Sequence, residues 1–385
     1  MEVLLIYLPH RLHDAPRHFP LGLGILAEVL RLRGHEVKVL DINGERPGRG
    51  EVWRRLRGCS FDVAGIGGLT SAYSYAKWLL PLLKRRNPSA KVVAGGSLAS
   101  PLPELFLKNN PSADAVVMGE GEETLPELLA AWERGDDLSQ VKGIAFRRNG
   151  DVVHTPPRPP IADLDSIPYP AWELFPMEVY LRHPVVGIGR DMNVITSRGC
   201  PHGCTYCYRL FGRGYRFRSA GKMVEEIAIL KERFAIDFVS FQDDCFVANR
   251  KRVLDFCEML EASGLGVKWS CCGRVNICDE KMLCRMKEAG CVSVSYGIES
   301  GSQRILDIIK KGVTVEQARR ALRATRRLGL RAPVSFMLGV PGETPETIQE
   351  TIDFCREEKI PLQSIMLATP YPGTPLYAWA LERGL

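Results

Sequence analysis

An α/β fold of two successive parallel sheets follows from three features of this 385-residue sequence. Short, near-continuous apolar runs alternate with helical periodicities. The alternation starts afresh after a proline-rich stretch. Glycine-rich or polar clusters follow the apolar runs at the positions where strands end. The first series predicts a doubly wound, Rossmann-like sheet over residues 1–142, because strands covered on both faces by helices read as unbroken apolar runs. The second predicts a partial, TIM-like (β/α)6 barrel over 191–377, with 143–190 as hairpin and linker and 378–385 opening a C-terminal segment.

In the first series, strands are expected at 3–8, 36–41, 63–66, 91–94 and 115–117, with helices at 21–33, 73–86 and 123–132. Asn149-Gly150 between apolar residues predicts a hairpin over 143–154, and the prolines of 155–176 an ordered linker. The second series places strands near 193–196, 238–241, 267–270, 293–296, 333–338 and 364–368. Its helices are expected near 222–234, 250–262, 280–289, 303–310, 315–328 and 347–357.

Bulk properties narrow the function. The net charge of +6 is scattered. The densest basic run, Arg319 to Arg327, is interleaved with Ala318, Leu322 and Leu328 as on an amphipathic helix, so no nucleic-acid partner is expected. No apolar stretch is long enough to span a bilayer, and 3–8 lacks the basic lead of a signal peptide. Twelve cysteines without such a signal predict reduced thiols and a cytoplasmic location. Cys257, Cys284 and Cys355 fall in helical stretches and read as small buried hydrophobes.

Ligands of doubly wound sheets sit beyond the carboxyl ends of the strands. There the first series offers Gly67-Gly68-Leu69-Thr70-Ser71, Gly95-Gly96-Ser97 and Gly119-Glu120-Gly121. Glycines let a flat ligand approach the backbone closely. None of these loops is a G-x-G-x-x-G fingerprint, which disfavours a nicotinamide cofactor.

Barrel chemistry also gathers at strand ends. After the first strand of the second series comes Cys200-Pro201-His202-Gly203-Cys204-Thr205-Tyr206-Cys207. Three thiolates spaced C-x3-C-x2-C suit three irons of a cubane cluster and leave the fourth open to a substrate. A zinc knuckle completed by Cys245 or His202 is the competing reading, weakened because no second cysteine arm follows. Gln242, Asp243 and Asp244, Arg274, Glu299 and Ser300, and Gly339 follow later strands at the same rim. Taken singly they read as helix caps, first-turn charges or turn residues. Cys245, beside the carboxylate pair, could approach the cluster region but reads better as a buried spectator, and Cys271 and Cys272, ending the third strand near the rim, are equally ambiguous.

The cysteine spacing, with Tyr206 before the last thiol, resembles the radical S-adenosylmethionine superfamily. Pro20-Leu21-Gly22-Leu23-Gly24, Gly34-His35-Glu36-Val37, Gly95-Gly96 and Gly119–Leu125 resemble the cobalamin-binding domain that precedes the cluster domain in one subclass. Asp243-Asp244, Gly297–Ser300, Phe336–Thr344 and Pro370–Pro375 match later stretches of that subclass, so the likeness runs over about residues 1–377. It implies a 4Fe-4S cluster on Cys200, Cys204 and Cys207. It implies S-adenosylmethionine contacts at Tyr206, Gln242, Asp243, Asp244, Arg274, Ser295, Glu299, Ser300, Met337 and Gly339. It also implies a corrin cradled by Leu69, Thr70, Ser71, Gly95, Gly96, Gly119, Glu120 and Gly121. The loop Pro9-His10-Arg11-Leu12-His13-Asp14 lacks the D-x-H-x-x-G of many cobalamin domains, so the lower axial position is expected to hold water or nothing, not His10 or His13.

The activity implied is methylation of an unactivated carbon or phosphinate-type centre of a small molecule. One S-adenosylmethionine would supply the methyl through cobalt and a second the 5′-deoxyadenosyl radical, with flavodoxin or ferredoxin as reductant. A radical oxidation, cyclisation or ring rearrangement is the alternative, and a non-enzymatic iron–sulfur or cobalamin carrier a more distant one.

Overall fold

The computed structural model describes residues 1–10, 14–182, 188–361 and 364–385, and the chain falls into two compact units, Met1–Gly187 and Ile188–Leu385. In the first unit, β1 (Glu2–Tyr7), β2 (Glu36–Asp41), β3 (Val63–Gly67), β4 (Lys91–Ala94) and β5 (Ala115–Val117) run parallel in the order β2-β1-β3-β4-β5. Alternate residues feed two apolar layers. Leu4, Ile6, Ala64, Ile66 and Val92 pack with Ala76, Leu79 and Leu83 of the helix Tyr73–Arg86. Val3, Leu5, Val63 and Val93 pack with Ala27 and Leu30 of Leu21–Leu32 and with Leu125, Leu128 and Leu129 of Gly121–Arg134. Burial on both faces is why these strands read as unbroken apolar runs.

The hairpin forms as β6 (Ile144–Arg148) and β7 (Asp151–His154), turning through Asn149 and Gly150 at φ 52° and 92°. Both φ values are left-handed, as a two-residue turn matching strand twist requires. β6 pairs antiparallel with β5, so the hairpin extends the sheet. The stretch that follows packs on the same unit: Ala171 N–H donates to Gly24 O (3.0 Å), and Phe175 meets Phe19 edge-on. The two longest helices of the first unit outside the expected set are Arg49–Gly58 and Pro103–Asn109, beside the short Ile42–Glu45 and Met177–Leu181. The first buries only Val52 and Leu56 among charged residues, and the second is seven residues long, so neither prints a clear period.

The second unit contains β8 (Asp191–Val194), β9 (Ser197–Arg198), β10 (Arg216–Phe217), β11 (Phe238–Phe241), β12 (Lys268–Gly273), β13 (Cys291–Glu299), β14 (Val334–Leu338) and β15 (Ile365–Leu367). Six of these form a parallel sheet in the order β8-β11-β12-β13-β14-β15, and among the described residues β8 and β15 do not pair, leaving a half-barrel. Helices within a few residues of their expected bounds connect the strands. One face packs on these helices, with Phe241 and Trp269 against Phe256, Tyr296 bonded to Thr325 and Phe336 against Phe354. With side chains alternating, the opposite face carries Ser240, Gln242, Ser270, Cys272, Ser295, Gly297, Glu299, Ser335 and Met337. This groove face is small and polar.

Candidate active site at the strand ends of the second unit

The cysteine loop is cinched at its base. The two-residue ladder β9–β10 pairs Arg198 with Arg216, and Arg218 N–H donates to Thr196 O (2.8 Å). Asp243, 3% exposed, accepts from the Thr196 amide (2.9 Å) and from its hydroxyl with both oxygens (3.0 Å each). Arg252, also buried, donates to Thr196 O (3.2 Å), Arg218 O (3.1 Å) and Tyr215 OH (3.0 Å). Gly199 has φ 82°, and a Cβ there would lie 2.0 Å from Gly214 O, so only glycine fits.

Inside this frame Cys204 is buried, Cys200 half-buried and Cys207 exposed. Thr205 is held at both peptide groups: its N–H donates to Ile309 O (3.0 Å), and its carbonyl accepts from Leu376 N–H (3.0 Å). Tyr206 OH donates to Glu299 Oε1 (2.9 Å), while Lys311 Nζ donates to both Tyr206 OH (3.0 Å) and Glu299 Oε1 (2.9 Å). Lys311 and Glu299 are nearly buried, a setting in which an ion pair is little screened.

The rim residues expected from the sequence divide between the two faces of the sheet. Gln242 and Asp244 are exposed, with Asp244 accepting from the Gly199 amide. Ser295, Glu299 and Met337 share the groove face. Asp243 turns to the helix side and clamps Thr196. Ser300, 1% exposed, bonds Thr351 Oγ1 (3.2 Å) in the helix Pro345–Glu357 and accepts from Ser302 N–H (3.1 Å). Gly339 follows β14 at φ 83°. Arg274 follows β12, buried, with one Nη donating to Lys311 O. Lys311 and Arg252 were missed: each reads as an ordinary basic residue of a helical segment, with no local sign of a partner about 50 to 100 positions away.

The donor set fits a cysteine-bound cluster. A cluster on three thiolates places anionic sulfur at the loop. Arg274 is close enough for its charge to reach Cys200, and among the described residues its Nε is buried without a partner, as is His202 Nε2. Cys200 is pulled down to about 6 by a hydrogen bond from Cys245, against the opposing effect of burial. His202 is pushed down to about 4, chiefly by burial, so the imidazole is neutral near pH 7.

In the first unit the glycine loops after β3 and β4 are laced together. Leu98 N–H (3.0 Å) and Ser97 Oγ (3.3 Å) donate to Gly68 O, and Thr70 Oγ1 donates to Ser97 O (2.8 Å). Leu69 and Ser71 are exposed beside them, and Gly95 N–H donates to Ile66 O (3.1 Å). Gly96 and Gly119 adopt φ 66° and 72°, and a Cβ on Gly119 would point into open space. That bare backbone fits a broad, flat ligand. Gly121 opens its helix against Leu26, and Glu120 accepts from Ile161 N–H (2.6 Å). His10 lies near Tyr7 OH (3.4 Å), and His13 lies outside the described residues.

A parallel half-barrel with a cysteine loop at its rim defines a class of enzyme in which a sulfur-ligated metal centre works at a barrel mouth. Comparison with known proteins makes this specific. The family model described as Radical SAM superfamily matches residues 194–355, and that of the B12 binding domain matches 12–129. An uncharacterized methyltransferase of Pyrococcus horikoshii is 38% identical over 95% of this chain and 79% of its own length. Cytidylyl-2-hydroxyethylphosphonate methyltransferase of Streptomyces wedmorensis is 30% identical over 97% and 80%. Anaerobic magnesium-protoporphyrin IX monomethyl ester cyclase of Rubrivivax gelatinosus is 32% identical over 93% of this chain and 65% of the cyclase, so the chain spans just under two thirds of that enzyme. The fold is that of the radical S-adenosylmethionine methyltransferase TsrM from Kitasatospora setae, solved with cobalamin and a 4Fe-4S cluster (TM-score 0.81, 21% identity, 100% of this chain and 75% of that one). The chain belongs to the radical SAM superfamily, in the group that carries a B12-binding domain ahead of the cluster domain.

Proposed function

We propose that the chain is a cobalamin-dependent radical S-adenosylmethionine methyltransferase acting on an unactivated carbon or phosphinate-type centre of a small molecule. The observation that carries this reading is the placement of the cysteine loop at the same rim as the polar groove face of Gln242, Asp244, Ser295, Glu299 and Met337. Cys200, Cys204 and Cys207 hold the cluster. When bound, the cluster supplies the electron that cleaves S-adenosylmethionine, and cobalamin carries the methyl group.

The chain's own residues bind and orient. The Asp244 carboxylate, exposed at the rim, suits a substrate ammonium, and Ser295 and Met337 border the adenosine. Glu299 accepts from Tyr206 and Lys311 with Oε1, which fixes the Tyr206 ring and directs the carboxylate at the groove. Asp243 and Ser300 serve from the far face of the sheet by holding the loop and the β13 end. In the first unit Leu69, Thr70, Ser71, Gly95, Gly96, Gly119 and Gly121 cradle the corrin, and Glu120 secures the third loop to the linker. A flavodoxin- or ferredoxin-type donor and a reducing, cytoplasmic setting complete the reading; among the described residues no helix is long and apolar enough to cross a membrane.

Anaerobic turnover with S-adenosylmethionine labelled in its methyl group tests this. Expected are 5′-deoxyadenosine and a labelled product heavier by one CH2. Deoxyadenosine with an unlabelled product that has lost hydrogens would favour oxidative cyclisation, the reading supported by the likeness to the cyclase.

A further inference from the structure

Cys245 stands outside the C-x3-C-x2-C motif, in the turn after β11, and is 5% exposed. Its Sγ, the Sγ of Cys200 and a ring nitrogen of His202 all lie within 4.8 Å of one another, the one such trio of metal-type donors among the described residues. The spacing discriminates between two kinds of centre. Donors around one tetrahedral ion, with bonds of ~2.0–2.3 Å, stand roughly 3.3–3.8 Å apart, so side-chain movement on the order of an ångström closes this set. Thiolates of a cubane each take a separate iron and stand further apart, and Cys204 and Cys207 fall outside the trio. Among the described residues His202 Nε2 is buried without a hydrogen-bond partner, so the ring has a nitrogen free to take an ion. Two thiolates and an imidazole are a donor set that zinc and cobalt favour. The charge of two thiolates balances that of a divalent ion, which leaves the occupied site neutral beside the Arg274 guanidinium.

We propose that Cys200, His202 and Cys245 form a mononuclear site for a thiophilic divalent cation in the cluster-free chain, with water as fourth ligand. Cys200 is shared with the cluster, so ion and cluster exclude one another. The inference does not depend on which reaction the loaded enzyme performs.

The test uses the full chain, stripped of iron by chelation under anaerobic reducing conditions and titrated with Co2+. One equivalent is expected, giving the visible bands of tetrahedral cobalt and charge-transfer absorption from two thiolates, displaced by Zn2+. Cys245→Ser and His202→Ala are expected to weaken binding by about 10-fold or more, and Cys207→Ala by less than about 2-fold. Thermal melts establish that each variant folds, and His202→Ala, in a half-exposed loop, carries the test should the buried Cys245 variant not fold. Binding kept in Cys245→Ser and His202→Ala but lost in Cys207→Ala would put the ion on the cluster cysteines and overturn the proposal. Absence of stoichiometric binding by the wild type would overturn it equally. A second readout is competition: one equivalent of Zn2+ should slow iron–sulfide reconstitution of the wild type and leave that of Cys245→Ser unchanged, and equal slowing in both would sink the idea.

Discussion

At the strand ends of the first unit the chain offers backbone, and at those of the second it offers side chains already bonded to one another. The first rim is laced by main-chain bonds through Gly68, Ser97 and Leu98, and left open by Gly119. The second is wired through Asp243, Thr196 and Arg252 on one face and through Tyr206, Glu299 and Lys311 on the other. The proposed function accounts for the difference by what each rim would hold. A wide planar ligand is gripped by area and shape, so the protein must keep bulk away. A small charged ligand beside a metal centre is gripped by a few polar groups that must be fixed before it arrives. Adding atoms should therefore damage the first rim, and removing polar groups the second.

The largest separation should come from Cys204→Ala. Loss of one of three cluster ligands is expected to abolish the broad cluster absorbance and deoxyadenosine formation while corrin binding persists, all readable on one anaerobic preparation. Loss of corrin binding as well would mean that the rims are not independent.

Gly199→Ala adds one carbon where the second rim tolerates none, 2.0 Å from Gly214 O at a left-handed φ. A stability cost of about 3–5 kcal/mol is expected from overpacking plus backbone strain, measured by denaturant unfolding of the cluster-free chain.

Glu226 lies wholly buried near Asp243, and burial, only partly offset by Arg218, pushes its carboxyl up to about 7. In the unfolded chain this group ionises near its ordinary value, so the folded state holds its proton more tightly. Stability should then fall as pH rises from about 4.5 to 7, by about 3 kcal/mol, and level off above. Glu226→Gln should flatten that slope; an unchanged profile would show that Glu226 is ionised in the fold.

At the first rim, Gly119→Val should weaken corrin binding of the full chain about 10-fold, or ~1.4 kcal/mol, and leave cluster content unaltered. The mildest change is Lys311→Met, expected to raise KM for S-adenosylmethionine several-fold more than it lowers kcat, by freeing Tyr206 and Glu299. Lys311→Arg should restore part of the loss, because charge is kept while the single-point geometry is not. Equal effects in both variants would argue that the ammonium is not what orders the pair.

Much of this layout is legible in the sequence. Apolar runs and turn glycines place the strands of both sheets to within a few residues, Asn149-Gly150 marks the hairpin, and the cysteine spacing marks the loop. What escapes is set by geometry at long range. Asp243 and Asp244 read as a pair, but strand alternation carries on past β11 and sends one to the helix side and the other to the groove. Ser300 follows Glu299 directly, but Glu299 sits at φ 74° where the β13–β14 register shifts, and that kink, invisible in the sequence, parts the two. Lys311 sits in Lys310-Lys311-Gly312, which reads as a frayed helix end, and only the fold brings it across to Tyr206. Arg252 resembles its exposed neighbours in a helix of alternating charge, and its burial depends on Thr196, in the link between β8 and β9.

The double tether on Thr205 bears on how the protein is made. The loop emerges during synthesis long before its second anchor, since Leu376 follows Thr205 by 376 − 205 = 171 residues. At ordinary elongation rates that interval is roughly 10–30 s. Throughout it the motif exists as free thiols on a loop lacking its last fastening, and only completion of the helix Pro375–Leu381 latches it. The second main-chain anchor of the cysteine loop therefore exists only once the last helix of the described chain has been made.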